Sequence, residues 1–253
     1  MFDELSLGYR DHCAVRQLEG ELRMGSLTAV VGPNGSGKST LMKAMAGVLR
    51  PLSGTCTLAP GARVAYLPQQ SELDRTFPAR VIDLVRLGLW PRRGFLGRHG
   101  KDDRARVAQA LDTLGIGDLA RRPIDEISGG QLQRALFARV LLQDANLILL
   151  DEPFNAIDAA TVADLMRLVR HWHREGRTVV AVLHDLDLVR AHFPQTLVLA
   201  GRVLAWGRTD SVLASDHIHG ALRFDRSSQA DAIGGLPGGR APAPGLMQRK
   251  ASR

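Results

Sequence analysis

Gly32-Pro33-Asn34-Gly35-Ser36-Gly37-Lys38-Ser39-Thr40 fits the pattern in which two glycines, separated by four residues, precede Lys and Ser. Upstream, Leu27-Thr28-Ala29-Val30-Val31 is a short apolar, partly β-branched run. Downstream, Leu41, Ala44, Met45 and Val48 recur at helical spacing until Pro51. The expectation is therefore strand, loop, helix, with the helix reaching Val48. Glycines permit a loop that turns successive backbone N–H groups inward, and with the helix N-terminus these cradle phosphates. Lys38 then neutralises the outer phosphates of a nucleotide and Ser39 holds Mg²⁺.

The 253 residues suit one α/β domain with an inserted subdomain. No uninterrupted apolar run approaches the roughly 20 residues that cross a bilayer. The acidic start, Asp3 and Glu4, argues against a secretory signal, and Cys13 and Cys56 do not suggest a disulfide framework, so the expected compartment is the cytoplasm. A net charge of +7 invites nucleic acid. Residues 226–253, however, hold Arg226, Arg240, Arg249, Lys250 and Arg253 against Asp231 alone, so four of the seven excess charges lie there. That segment is Ser, Gly, Pro and Ala without periodicity, and is expected to be a disordered tail.

From Phe2 to Leu22 the chain reads as an antiparallel β lead-in. Tyr9 in it either stacks on a nucleotide base or simply packs. Gly54–Leu58 and Val64–Leu67 read as a strand pair around Pro60-Gly61, the second ending in Pro68-Gln69-Gln70. Between Ser71 and Ala145 helical spacing replaces strand patterning, as in Val81, Leu84, Val85 and in Val107, Leu111, Leu114. The basic stretch Trp90 to Lys101 is either a partner surface or a solvated loop.

Ser128-Gly129-Gly130-Gln131 opens a helix, either as a second anion-binding terminus or as an ordinary N-cap with a flexible approach. Leu147-Ile148-Leu149-Leu150 suits a strand buried on both faces, and it ends in Asp151-Glu152-Pro153. In this class of site the Asp serves Mg²⁺, and the next residue can orient and deprotonate the attacking water. Another buried strand, Thr178–Leu183, ends at His184. A histidine at a strand end packs or is solvated unless it shares the strand-terminus plane with the phosphate loop, as His184 would. A hairpin joined at Gly201-Arg202 and a helix near Asp210 to Leu222 close the pattern. The pairs His171/His173 and His217/His219 lack an accompanying ligand cluster and are not read as metal sites.

Taken in order, the phosphate loop, the glutamine after a strand, the Ser-Gly-Gly-Gln element, the strand ending Asp-Glu and the strand ending in His make residues 1–220 resemble the ATP-binding subunit of an ABC transporter. The resemblance implies an α/β fold: a P-loop NTPase core of RecA-like type with a mixed sheet, an antiparallel β lead-in and an inserted α-helical subdomain. The corresponding boundaries are 1–225 for the ATP-binding domain, with core 1–70 and 146–225, helical subdomain 71–145 and tail 226–253. It further implies ATPase activity with ATP and Mg²⁺. Tyr9 becomes the base-stacking aromatic, and Gln69 the lid-loop glutamine that senses nucleotide and membrane partner, counted among the catalytic residues and joining Ser39 and Asp151 around Mg²⁺. Glu152 becomes the catalytic carboxylate and His184 a contact to the γ-phosphate. Two copies would sandwich two ATP molecules, Ser128, Gly129, Gly130 and Gln131 closing over the partner's nucleotide with Asp158 at the seam. Expected partners are an integral membrane permease at the cytoplasmic face and, indirectly, an extracytoplasmic metal-binding protein; nucleic acid is not expected. Ile127 and Asn155-Ala156-Ile157-Asp158 depart mildly from the family's commoner residues. Tyr66-Leu67-Pro68-Gln69 with Thr76-Phe77-Pro78-Ala79-Arg80-Val81 is similar to zinc and manganese importers, with ferric-siderophore and haem importers second. A soluble ABC ATPase acting on ribosomes or DNA is a third reading; such proteins usually carry two cassettes or long heptad arms, neither of which is present.

Overall fold

Strands β3 (Leu27–Val31), β6 (Leu147–Asp151) and β7 (Thr178–Val182) are buried along their whole length, as their nearly uninterrupted apolar runs require. The computed structural model describes residues 1–9, 12–93, 100–215 and 218. The remaining strands are β1 (Phe2–Tyr9), β2 (His12–Gly20), β4 (Ser53–Cys56), β5 (Val64–Leu67), β8 (Gln195–Leu199) and β9 (Val203–Arg208). The helices are α1 (Lys38–Met45), α2 (Val81–Arg86), α3 (Trp90–Arg93), α4 (Lys101–Thr113), α5 (Gly129–Gln143), α6 (Ala159–Arg174), α7 (Leu186–His192) and α8 (Thr209–Leu213).

Two sheets form. The larger has the order β5-β6-β7-β3-β8-β9, with β5 to β8 parallel and β9 antiparallel. The smaller, β2-β1-β4, is antiparallel, as the lead-in predicts. Pleating divides the buried strands between two apolar clusters. Leu27, Ala29, Val31, Ile148, Leu150, Val179 and Ala181 face one that includes α5 and α6. Val30, Leu147, Leu149, Val180 and Val182 face the other, filled by α1 and by Phe2, Leu5 and Leu7 of the small sheet. The fold is thus an α/β mixed sheet with an antiparallel lead-in, and helices α2 to α5 stand between β5 and β6.

The structure corrects several local readings. Helix α1 ends at Met45, because Gly47 takes φ 72° and Val48 is exposed. Segments β4 and β5 do not pair: β4 joins β1, whereas β5 lies parallel to β6. The reason is burial, since Ala65 and Leu67 enter the larger apolar cluster while Ser53-Gly54-Thr55 is exposed and stays at the small sheet's edge. The closing hairpin β8–β9 is present. Of the helix expected near 210–222, α8 covers Thr209–Leu213, and the remainder lies outside the described residues apart from position 218. The tail 226–253, the middle of the Trp90–Lys101 stretch and the pair His217/His219 also lie outside them.

Candidate functional site

Parallel register brings the strand ends into one plane: Leu67 is level with Leu150, Asp151 with Val182, and Val182 with Val30. Loops leaving β3, β5, β6 and β7 therefore converge at the carboxyl edge of the sheet, where open α/β folds build their sites. A cleft of about 660 Å³ lies there, lined by Tyr9, the loop Asn34 to Thr40, Gln69, Glu152 and His184.

Gly37 begins α1 with φ 94°, and a Cβ on it would meet Ala14 O at 2.7 Å. Only glycine lets the loop turn so tightly against the lead-in. Lys38 is buried, and its ammonium donates to the carbonyls of Gly32 (2.9 Å) and Pro33 (2.8 Å). Ser36 Oγ is buried with no hydrogen-bond partner among the described residues, an orphaned hydroxyl suited to an anionic oxygen. Tyr9 ends β1 at the rim of the cleft with its ring half exposed.

Ser39 Oγ donates to Asp151 Oδ1 at 3.1 Å, and the Tyr66 hydroxyl reaches Asp151 Oδ2 at 3.4 Å. Burial pushes the Asp151 carboxyl up to about 6, with the Ser39 hydrogen bond opposing. Burial and the Asp151 charge likewise push the Tyr66 phenol up, so it stays a neutral donor. A fully buried carboxylate beside a hydroxyl is a costly pair unless a cation joins it, so Ser39 and Asp151 fit a hard divalent ion. Among the described residues no group of three or more His, Cys, Asp or Glu could hold a metal ion.

Glu152 adopts φ 49°, left-handed backbone that a non-glycine residue occupies at a cost, and this turns its side chain into the cleft mouth. Gln69 Nε2 donates to Oε2 at 2.7 Å, Asn155 Nδ2 to the same oxygen at 3.2 Å, and His184 Nε2 lies 2.9 Å from Oε1. The His184 contact holds the carboxyl below the usual range against burial, with the Lys38 charge helping. Glu152 is therefore ionised at neutral pH, and it lines the cleft.

Ser128 caps α5, accepting from Gln131 N at 3.2 Å while Gln131 Oε1 accepts from Ser128 N at 2.9 Å. This element lies outside the cleft; Ser128 is exposed, and Gly129, Gly130 and Gln131 are half-buried. Asp158 caps α6, accepting from Thr161 N at 2.9 Å. One copy of the chain thus brings together the loop Asn34 to Thr40, Gln69, Asp151, Glu152 and His184, but not the Ser-Gly-Gly-Gln element.

Three participants escaped the sequence reading. Asn155 holds Glu152; its only signal is its position three residues on, in a turn where Ala156 has φ 56°. Tyr66 bonds to Asp151 across β5–β6 pairing, and Gln70 reaches α5, with no sequence signal for either.

A family profile described as ABC transporter matches residues 15–155. Among curated relatives, the zinc transport system ATP-binding protein TroB of Treponema pallidum is 38% identical over 87% of this chain and 85% of its own. The manganese transport system ATP-binding protein MntB of Listeria monocytogenes is 38% identical over 85% and 92%. Among solved structures, an ABC transporter of proposed metal-chelate type in an inward-facing conformation superposes with a TM-score of 0.78 at 30% identity, covering 88% of each chain. A dimeric bacterial ABC transporter cassette superposes with a TM-score of 0.72 at 25% identity, over 82% of this chain and 97% of that one.

Proposed function

This chain belongs to the ABC transporter family as an ATP-hydrolysing cassette, and we propose that it energises import of a divalent metal ion, zinc first and manganese second, through an integral membrane permease. The observation that carries the cargo is the pair of relatives at 38% identity, one named for zinc and one for manganese. Among the described residues no helix is long and apolar enough to cross a membrane, so the cassette would attach to the cytoplasmic face through its permease. Helical subdomain 71–145 is the part we assign to that contact, since Phe77 and Trp90 leave large apolar surface exposed there.

In this reading, ATP lies with its base on Tyr9 and its phosphates in the backbone cradle of Gly32 to Gly37, contacted by Lys38. Ser39, Asp151 and Gln69 would hold Mg²⁺, which supplies positive charge against the phosphate oxygens. Glu152 orients a water and takes its proton as the water oxygen bonds to the γ-phosphorus. The bond to the β–γ bridging oxygen breaks, leaving ADP and phosphate. His184 steadies both Glu152 and the γ-phosphate. Because one copy leaves Ser128, Gly129, Gly130 and Gln131 outside its own cleft, they close over the nucleotide of a second copy, with Asp158 at the seam.

Metal accumulation tests the cargo. Cells lacking this chain should take up less radioactive zinc or manganese, recover with the wild type and not with Lys38→Ala, whose ammonium is the loop's phosphate-facing cation. Unchanged uptake of both metals with impaired uptake of a ferric chelate would instead favour the metal-chelate reading that the structural neighbour suggests.

A further inference from the structure

Gln69 and Gln70 are adjacent but serve different parts of the molecule. Gln69 donates to Glu152 in the cleft, whereas Gln70 Nε2 donates to Gln133 Oε1 at 2.6 Å and to Gly129 O at 3.1 Å. Both acceptors sit on α5, four residues apart, so one amide straps the helix's first turn from outside. Gln133 is only 2% exposed, and a buried amide oxygen without a donor is costly, so the strap is held firmly. Five residues on, Arg75 Nη2 donates to Ile127 O at 2.6 Å, fixing the residue before Ser128. Gln70 does not line the nucleotide cleft.

We propose that Gln70 is a positioning residue: it ties the first turn of α5 to the loop carrying Gln69, and so fixes the aim of Ser128, Gly129 and Gly130 toward the second nucleotide. This rests on the reading that the Ser-Gly-Gly-Gln element closes over a second copy's ATP. The consequence is a two-residue link between a copy's own catalytic carboxylate and the composite site it completes for its partner.

The test is ATP-driven dimerisation of the full chain in a Glu152→Gln background, followed by light scattering with Mg²⁺-ATP, beside nucleotide affinity measured below the dimerising concentration. Gln70→Ala should weaken dimerisation by roughly tenfold, the effect of stranding a buried acceptor, and leave monomer nucleotide affinity unchanged. Gln70→Lys, which can donate to the same two oxygens, should recover most of that loss. Gln70→Glu should not, because a carboxylate cannot donate to the Gly129 carbonyl oxygen and would repel it. Gln133→Leu, which keeps the volume and removes the buried acceptor, should weaken dimerisation several-fold. Dimerisation of Gln70→Ala equal to its parent, or Lys and Glu variants behaving alike, would overturn the proposal alone. A Glu152→Gln parent that stays monomeric with ATP would overturn the shared-site reading and this proposal together.

Discussion

Gln69 Nε2 lies 2.7 Å from Glu152 Oε2, a hydrogen bond between the loop after β5 and the residue after β6. Since β5 and β6 are parallel neighbours, their exits lie side by side, and the amide fixes one oxygen of the carboxylate. Gln69→Ala should lower ATP turnover by roughly tenfold, the scale of one charge-assisted hydrogen bond of about 1.5 kcal/mol. Unchanged steady-state turnover would show that Asn155 and His184 suffice to hold Glu152.

Glu152→Gln keeps the side-chain shape and removes the carboxylate that we propose as the base. Hydrolysis should fall by roughly 10²–10⁴ while nucleotide binding persists. Single-turnover measurement with labelled ATP separates the two quantities, and a wild-type rate would remove Glu152 from the chemistry.

Asp151 makes stability depend on pH in the absence of nucleotide. Its folded pKa, about 6, is raised above the ordinary 3.8, so its favourable contribution is complete below 3.8 and is lost as pH rises through 6. Asp151→Asn avoids that loss. Urea denaturation should show the variant matching the wild type near pH 4 and exceeding it by up to about 3 kcal/mol at pH 8. Stability gained equally at both pH values would contradict a burial origin for the shift. The same variant should lose Mg²⁺-dependent turnover, since the carboxylate paired with Ser39 is gone.

Trp172 on α6 stacks on Phe137 of α5 with centroids 5.9 Å apart and planes 6° apart, both fully buried. Trp172→Ala should cost about 3–5 kcal/mol by emptying that volume. Trp172→Phe should cost much less, because the indole N–H has no hydrogen-bond partner among the described residues and its removal relieves a buried orphan. Equal losses in chemical denaturation would show that the N–H is satisfied after all.

What the sequence determined by itself was local. Leu27–Val31, the glycine-rich loop and the helix from Lys38 are one contiguous segment whose backbone geometry is dictated by its own residue types, so strand, cradle and helix were readable together. The continuous apolar runs at 147–150 and 178–182 likewise announced strands buried on both faces. Motif order then gave the family.

Strand order was not readable, because it follows from which apolar faces can be buried together across long separations, and periodicity within a segment carries no partner. Hence local patterning suggests pairing β4 with β5, though they belong to different sheets. For the same reason Tyr66 against Asp151, Asn155 against Glu152 and Gln70 against Gln133 emerged only from the folded chain. Sequence supplied the chemical groups, and the parallel register β5-β6-β7-β3 decided which of them meet, since only side-by-side strands deliver their carboxyl ends to one plane.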